Sequence, residues 1–305
     1  MLSRLTRRVF LETTALGAAA AGLAPSTFAQ QEPPKMAIVS WKDPKEEPEA
    51  IRLTEEAIKA LGGMSRFVSK GDVVWIKPNI GWDRQPQQAA NTNPDVVATL
   101  VRLCYEAGAK KVRISDLPCN DERRTFVRSG IKQAAEQAGA EVFFLDKRKF
   151  KEMELGGKQL KSWPIYVDYV ECDKKINVPI AKHHNLARLT LSIKNLMGIM
   201  GNPRDRVHQS LGPALADVVK SLPSDLVVLD AIRILKTNGP QGGNVNDVER
   251  RDIIAAGIDT VAIDAFGATL FGMKPGDVDT TREAAKLGLG TMDFESLKPV
   301  RLSIS

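Results

Sequence analysis

Three neighbouring segments decide the fold: residues 72–77 (DVVWIK), 93–107 (NPDVVATLVRLCYEA) and 111–116 (KVRISD). The first is a short apolar run of the kind that forms a buried strand, and the third is predicted as the next strand. The middle segment places apolar side chains three and four residues apart, which predicts a helix with Asn93 as its N-cap and Pro94 in the first helical position. A strand, a helix and a second strand in this order predict two parallel strands joined by a crossover.

The same alternation continues on both sides of this unit. Residues 150–180 interrupt it with a predicted hairpin at 153–160, which turns at Gly156 and Gly157. We therefore expect an α/β fold: a mostly parallel sheet with helices on both faces, plus a small β insertion around 150–180. The further predicted strands are 36–41, 141–146, 226–230, 251–256 and 301–304, and the further predicted helices are 47–61, 122–138, 186–197, 211–222, 259–271 (with Asp259 as N-cap) and 280–287.

Composition and charge exclude several classes of protein. Of the 305 residues, 43% are apolar and 26% are charged, which rules out a disordered, collagenous or coiled-coil chain. The formal net charge is +6, and the first 29 residues contribute +2 of it, which leaves +4 for the remainder. Because the basic residues are spread along the chain rather than clustered in a stripe, we expect no nucleic-acid partner and favour a small anionic ligand.

The N-terminus has the features of an export signal. Arg7 and Arg8 precede Val-Phe-Leu, an apolar run follows at 15–24, and Thr27-Phe28-Ala29 offers a small-x-small cleavage site. This pattern resembles a twin-arginine signal, so the expected partner is the twin-arginine export machinery and the expected location is the periplasm. The apolar run is too short for a stable membrane anchor.

This interpretation divides the chain into a signal peptide (1–29), a linker (30–35) and a domain (36–305). The domain is expected to be a single α/β unit or to have two lobes at about 36–148 and 175–305. Twin-arginine export carries folded proteins, often with a cofactor already bound, which favours a metal or an organic cofactor here.

The three cysteines are scattered. Cys104 has the helical spacing of a core residue, and no pair has the C-x-x-C spacing of a zinc ribbon or cluster site. Cys119 and Cys172 can form one disulfide in an oxidising compartment or stay free, and the sequence leaves both alternatives open.

Polar side chains follow several of the predicted strands, at the point where each strand ends. In open α/β sheets the ligand crevice lies outside the carboxyl ends of the strands, so these side chains are expected to converge on one site. They are Lys77 and Asn79 after the apolar residues 73–76, Asp116 after 112–115, Lys182, His183 and His184 after a further predicted strand at 176–180, and Asp230 after 226–229.

The three histidines of the chain, His183, His184 and His208, all lie within 26 residues of one another. Imidazole is a common metal ligand and the usual acid–base group near neutral pH. We therefore consider a histidine of this set as a base or as a ligand, with His183 and His208 as the candidate metal ligands. Adjacent side chains point in different directions, so at most one of His183 and His184 needs to face the site. Ordinary hydrogen bonding in a loop is the alternative.

Positive side chains and one loop complete the expected site. Lys77, Lys182, Lys194, Arg204 and Arg206 would supply donors to an anion, unless they are ordinary surface charges. The loop 238–244, which contains Gly242 and Gly243, can bring backbone N–H groups close to an anion, but it lacks the residue order of a P-loop. Serine hydrolase, zincin and dinucleotide-binding motifs are likewise missing from the sequence.

These residues together resemble the family called domain of unknown function 362. The resemblance covers about residues 36–290. Its most specific parts are Lys77-Pro78-Asn79 and the segment Ser192-Ile193-Lys194-Asn195-Leu196-Met197-Gly198, supported by Asn91–Pro94, Lys182–His184, Asp230 with Gly242 and Gly243, and Asp259 with Asp264.

The resemblance has implications for cofactors. Many members carry ferredoxin-type cysteine runs, which this chain lacks, so no iron–sulfur cluster is expected here. The family is also thought to be distantly related in fold to nickel-pincer lactate racemase, which uses lysine and histidine around an organonickel cofactor. That relation implies that a divalent metal could be part of the site.

The sequence thus predicts an exported enzyme that binds a small anionic substrate or cofactor in a Lys/His/Asp crevice. The alternative is a non-catalytic periplasmic binding protein, or an accessory protein for an exported redox enzyme. A third alternative places the working site in the 150–180 insertion. The candidate catalytic residues are His183, His184, Lys182 and Lys194, and the candidate ligand-binding residues are Lys77, Asn79, Asp116, Asn195, Asp230, Gly242 and Gly243.

Overall fold

The apolar strands predicted from the sequence assemble into one large sheet. The computed structural model describes residues 32–43 and 45–305. Its strands are β1 (Met36–Trp41), β2 (Val73–Pro78), β3 (Lys111–Ile114), β4 (Glu141–Val142), β5 (Phe150–Glu154), β6 (Ser162–Tyr166), β7 (Lys174–Val178), β8 (Ile180–His184), β9 (Arg188–Thr190), β10 (Leu226–Leu235), β11 (Val248–Gly257) and β12 (Val300–Ile304).

The helices alternate with these strands along most of the chain. The N-cap predicted for the longest of them is confirmed, because Asn93 Oδ1 accepts the backbone N–H of Asp95 at 2.9 Å. The N-cap role of Asp259 is confirmed too, since its Oδ1 accepts Ala262 N–H at 2.8 Å. The helices are α1 (Ala50–Ala60), α2 (Pro94–Glu106), α3 (Glu122–Arg128), α4 (Ile131–Gln137), α5 (Val167–Glu171), α6 (Ser192–Asn195), α7 (Leu211–Ser221), α8 (Thr260–Thr269) and α9 (Asp279–Lys286).

The main sheet is mixed but mostly parallel. Its strand order is β12-β1-β11-β10-β7-β2-β3-β4, and β8 extends it by pairing with both β10 and β9. Antiparallel pairing is confined to β11 with its two neighbours and to β8 with β9. At one edge, β1 lies between β11 and β12, whereas the short hairpin β5–β6 forms a separate sheet. The predicted fold class is therefore confirmed.

Helices cover both faces of the sheet, because alternate residues of each strand enter different cores. Val74 and Ile76 of β2 pack on one face with α1, α2 and α4. Trp75, between them, faces the opposite side, where α6, α7 and α9 form a second core. Next to that core, Leu229 of β10 packs under α8. The sheet is thus buried on both sides and is accessible to a ligand mainly at the ends of its strands.

Several predicted boundaries are wrong for local reasons. The helix predicted at 122–138 is split into α3 and α4 by Gly130, which has a φ of 74°. The strand predicted at 141–146 shortens to β4, and the insertion hairpin pairs residues 150–154 with 162–166 rather than turning at 153–160. The helix predicted at 186–197 is instead the hairpin β8–β9 followed by the single turn of α6.

Three observations bear on membrane crossing, on export and on disulfide formation. No helix in the described ranges combines the length and apolar character needed to cross a bilayer. The predicted export signal, residues 1–29, lies outside the described residues. Cys119 is exposed and Cys172 is buried, and neither forms the disulfide that the sequence left open.

Candidate functional site

A cavity of about 340 Å³ opens where β2, β3 and β8 end. Asn79 follows β2, Asp116 follows β3, and Lys182 and His184 lie at the end of β8. This is the edge of the sheet at which the sequence predicted a crevice, and it is joined there by α6 and by the 3₁₀ helix Arg204–Ser210. The cavity is lined by Asn79, Gly81, Trp82, Asp116, Leu117, Cys119, Lys182, His184, Asn185, Leu186, Thr190, Lys194, Asn195, Met197, Gly198, Arg204, His208 and Pro240.

Lys77 forms the buried base of the site rather than its lining. Its Nζ lies 2.8 Å from Asp116 Oδ1 and donates to Pro78 O at 2.8 Å and to Asn195 Oδ1 at 3.2 Å. Burial lowers the pKa of Lys77, and the Asp116 carboxylate offsets part of that effect. Because all three donor directions are occupied, the ammonium group of Lys77 holds Asp116 and Asn195 in place and is not free to bind a ligand.

Lys182 reaches the same network from the other side. Its Nζ donates to Asn79 Oδ1 at 2.9 Å and to Ala90 O at 2.6 Å. Asn79 Nδ2 in turn donates to Asn195 Oδ1 at 2.9 Å, which connects Lys182 to Lys77. Burial lowers the pKa of Lys182 to about 7. With two acceptors already engaged, Lys182 has one donor direction left for a ligand.

Lys194 differs from the other two lysines. It is 9% exposed, and no acceptor or carboxylate among the described residues is within bonding distance of its Nζ. Burial, together with the charges of Arg204 and Lys77, lowers the pKa of Lys194 to about 8, and Cys119 and Asp116 offset part of the effect. The three lysines therefore have three acceptors, two acceptors and none, in the order Lys77, Lys182, Lys194.

Asp264 of α8 fixes the position of α6 and hence of Lys194. Its Oδ1 accepts Ser192 N–H at 2.7 Å, its Oδ2 accepts Ile193 N–H at 3.1 Å, and the Ser192 hydroxyl also donates to it. Complete burial raises the pKa of Asp264 to about 7. In the sequence, Asp264 stands out only through the family resemblance, because its contact with Ser192 spans too much of the chain for a local pattern to reveal it.

The rings of His184 and His208 stack at the mouth of the cavity, with centroids 6.0 Å apart. Nδ1 of His184 accepts N–H groups from Leu186 at 3.1 Å and from Ala187 at 3.2 Å, so the proton of the neutral ring is on Nε2. Nδ1 of His208 lies 3.1 Å from Asp205 O, which can only accept, so the free Nε2 of His208 carries a lone pair. One ring therefore offers the cavity a donor and the other an acceptor.

Both imidazoles are neutral near pH 7. Burial, together with Lys194 and Lys182, lowers the pKa of His184 to about 3. Burial and Lys194 also lower the pKa of His208. Neither ring thus competes with the lysines for a bound anion, and His208 is able to take up a proton.

Arg204 and Cys119 complete the wall that faces Lys194. Arg204 Nη1 donates to Leu117 O at 2.7 Å, and Nη2 donates to Pro118 O at 3.1 Å and lies 3.8 Å from Cys119 Sγ. These carbonyls orient the guanidinium group without neutralising it. Cys119 was considered in the sequence only as a disulfide partner, and its position at the cavity was not predicted.

The segment 192–198 ends in a glycine because the space beside Gly198 is filled by Asp116 and Lys77. A Cβ at this position would overlap Asp116 Oδ1 and would lie 2.7 Å from Lys77 Nζ. Leu117 N–H also donates to Gly198 O at 3.1 Å, which ties the segment to the end of β3. Only glycine allows this backbone to lie against the buried ion pair.

Other predicted site residues lie elsewhere. Asp230 does not end its strand, because β10 continues to Leu235, and its carboxylate accepts Asn93 N–H at 2.8 Å instead of orienting the lysines. His183 points away from the cavity, and its Nδ1 accepts Gly239 N–H at 3.1 Å. Gly242 and Gly243 bond through their carbonyls to the side chains of Arg84 and Gln88 (3.5 and 2.6 Å), and Arg206 is exposed outside the lining.

The described side chains form no cluster of ligands for a divalent metal. Across residues 32–43 and 45–305, no three His, Cys, Asp or Glu side chains lie close enough together to share an ion. The predicted ligand pair is not formed, because His208 stacks on His184 while His183 lies outside the lining. Metal-bound histidines donate their second ring N–H. His208 does so to Asp205 O, whereas Nδ1 of His183 and of His184 accepts a hydrogen bond.

The chain is similar to a known protein family and to a protein of Synechocystis. The model of the family described as "Domain of unknown function (DUF362)" matches residues 74–269, within the range of the resemblance seen in the sequence. Thylakoid-associated protein sll1697 of Synechocystis is 27% identical over 259 residues, which are 80% of this chain and 76% of that protein.

Two solved structures are more distant. The lactate racemase apoprotein of Thermoanaerobacterium thermosaccharolyticum is 12% identical with a TM-score of 0.41, and the match covers 69% of this chain and 54% of that one. A Thermotoga maritima protein is 11% identical with a TM-score of 0.38, over 79% and 60% of the two chains. The chain thus spans little more than half the length of these structures, and such low TM-scores carry no functional inference.

Proposed function

The chain belongs to the DUF362 family, and from that premise we propose that it is an enzyme which binds a small organic carboxylate in the cavity and moves a proton on it. We further propose that it works in the periplasm after twin-arginine export. The first proposal is supported by the site described above, and the second by residues 7–29 of the sequence.

The observation that carries the first proposal is an imbalance of charge around the cavity. Lys182, Lys194 and Arg204 line it, and none of the three has a carboxylate within 4.0 Å in the described part of the chain. Asp116 is the one acidic residue of the lining, and it is already paired with Lys77. Buried cationic groups without counter-charges are costly, so an anionic ligand would stabilise them.

The two imidazoles favour an enzyme over a simple binding protein. His208 presents a free lone pair on Nε2, which can accept a proton, whereas His184 presents an N–H that can donate a hydrogen bond to oxygen. A neutral imidazole donor can stabilise charge that develops on an oxygen atom during proton abstraction. With a carboxylate held by the cations, this arrangement suits removal of a proton from the neighbouring carbon.

The proposal is tested by binding and by proton exchange. We expect malonate, lactate and 2-oxoglutarate to raise the melting temperature of the purified domain, with no effect of a neutral amide of the same size. Exchange of a carbon-bound proton for deuterium, followed by NMR in D₂O, then tests for catalysis; this proton is next to the carboxylate in malonate and lactate and next to the oxo group in 2-oxoglutarate. The variant Lys182→Met/Lys194→Met is expected to lose binding, and the exposed Lys220→Met is the matched control.

The alternative functions give different results. Binding that is independent of pH, without exchange for any of these compounds, would indicate a binding or accessory protein instead of an enzyme. Absence of binding by every carboxylate would refute the proposal altogether.

Export is tested separately. Replacing Arg7 and Arg8 by lysine keeps the positive charge but removes the paired arginines. We expect the wild-type chain in the periplasm, cleaved after Ala29, and the double variant retained in the cytoplasm. Equal export of both would refute the twin-arginine assignment.

A further inference from the structure

We propose that Lys194 is a nucleophile which forms a Schiff base with the oxo carbon of a small 2-oxo carboxylate bound in the cavity. This inference rests on the proposed function, because it needs a carboxylate site, and it narrows the substrate class to oxo acids.

The first support is the freedom of the Lys194 amine. A lysine that serves only as an anion anchor or as a structural cation is normally held by acceptors, as Lys77 and Lys182 are. Lys194 is nine-tenths buried and lines the cavity, yet none of the described side chains or carbonyls accepts a hydrogen bond from it. Its lone pair, once the amine is neutral, is therefore available for a bond to carbon.

The second support is that the rest of the residue is fixed. Asp264 holds the backbone N–H groups of Ser192 and Ile193, and this places α6 with its Lys194 side chain over the cavity. A rigid backbone with an unanchored terminal amine is the arrangement that covalent catalysis by lysine requires, because the nucleophile must move onto the carbonyl without moving the fold.

The third support is the set of cations around Lys194. Arg204 is held by Leu117 O, Met197 O and Pro118 O and contributes positive charge at the cavity, while Lys182 has one donor direction left. These groups would hold the carboxylate of an oxo acid and leave the adjacent oxo carbon to Lys194. Burial, together with Arg204 and Lys77, disfavours the charged form of Lys194, whose pKa of about 8 leaves roughly 10% of the amine neutral at pH 7, about 300-fold more than an ordinary lysine.

The reaction needs no additional reagent. The neutral Nζ attacks the oxo carbon, the C–N bond forms, and the π electrons of the C=O bond move to oxygen. The nitrogen loses its two protons in turn. Nε2 of His208 takes each proton and returns it to that oxygen, which becomes a hydroxyl group with the first and departs as water with the second. The products are the imine and one water molecule, with no change in oxidation state.

The test is reductive trapping. Purified wild-type domain is incubated at pH 7.5 with pyruvate or 2-oxoglutarate and reduced with cyanoborohydride, and the modified lysine is located by peptide mass spectrometry. We expect one stoichiometric adduct on Lys194. Lys194→Arg keeps the charge but cannot form an imine, so it is expected to lose the adduct, whereas Lys220→Arg is expected to keep it.

Malonate binding is measured on the same samples and separates the two proposals. If malonate binds but no adduct forms, or if the adduct forms on Lys182 or another lysine, the Schiff-base inference is refuted while the proposed function stands. If malonate does not bind to the folded wild-type protein, the carboxylate site itself is refuted. A circular dichroism spectrum of Lys194→Arg equal to that of the wild type shows that loss of the adduct is not loss of the fold.

Discussion

Binding of a carboxylate is expected to draw protons from the solvent, in an amount that rises with pH. The bound anion changes the protonation of Lys182 and Lys194. Burial without counter-charge lowers the pKa of both lysines in the free protein, to about 7 and about 8. A carboxylate within hydrogen-bonding distance favours the ammonium forms and raises both pKa values.

The magnitude follows from these values. If the anion returns both lysines to an ordinary pKa of about 10.5, binding takes up roughly 0.1 proton at pH 6, roughly 0.6 at pH 7 and roughly 1.8 at pH 9. Because the bound state holds more protons, affinity is greatest at low pH and falls as pH rises through the free-state values. The expected loss between pH 7 and pH 9 is roughly 500-fold.

Isothermal titration calorimetry measures this uptake directly. Malonate is the suitable probe because it has no oxo group and cannot form an imine with Lys194. Titrations at each pH are repeated in buffers of different ionisation enthalpy, and the slope of the observed enthalpy gives the protons taken up. Lys194→Met is expected to remove about half of the uptake at pH 9, since its share there is roughly 0.9 proton.

A single result would refute this reasoning. If malonate binds at pH 9 with no proton uptake, the lysines are either charged in the free cavity or do not contact the anion. Lys220→Met, at an exposed position, is expected to leave the uptake unchanged.

Two further predictions concern the support of the site. Gly198→Ala is expected to separate Asp116 from Lys77, because the added Cβ overlaps Asp116 Oδ1. The free energy of unfolding, measured by urea titration, should fall by about 3–5 kcal/mol. The control Gly276→Ala adds its Cβ in open space and should change the free energy of unfolding by less than about 0.5 kcal/mol. Equal effects of both would show that the close packing at Gly198 does not matter. Asp264→Ala leaves two buried N–H groups without an acceptor, which should lower the free energy of unfolding by on the order of 3 kcal/mol. It should also weaken malonate binding, because Lys194 is displaced. A wild-type affinity for malonate in this variant would contradict the positioning role of Asp264.

Much of the site could be predicted because it obeys a general rule of sheet topology. Asn79, Asp116 and Lys182 each come at or just after the end of a parallel strand, so the sequence was enough to expect them at one edge. The same rule failed for Asp230 because an apolar run does not show where a strand stops. β10 continues for five residues beyond Asp230, which moves that carboxylate away from the edge.

The histidines show a second limit of the sequence. Strand alternation indicated that His183 and His184 would face opposite sides, but not which of them would face the ligand. The choice is made by the pairing of β8 with β9, which the sequence analysis had interpreted as part of a helix. His208 joins His184 through a contact between separate elements, and such a contact has no local signal.

The supporting residues were the hardest to predict. Asp264 lies 72 residues from Ser192, so its role depends on α8 packing against α6. The segment 192–198 was singled out by its resemblance to a family, and the structure supplies the physical reason, which is the room that Gly198 leaves for a buried ion pair.

The place of β1 between β11 and the edge strand β12 has a consequence for the timing of folding. This strand is made early, yet Met36 pairs with Gly257 and Ala37 pairs with Val300, so both of its neighbours are made late. During synthesis its hydrogen-bonding groups stay open until β11 and β12 emerge, and contacts of such long range form slowly. A copy that stops before β12 keeps one side of its first strand exposed, which invites aggregation or degradation. β1 is therefore covered on both sides only when β11 and β12 have both been made, so a transport step that accepts only folded cargo would reject a shorter copy.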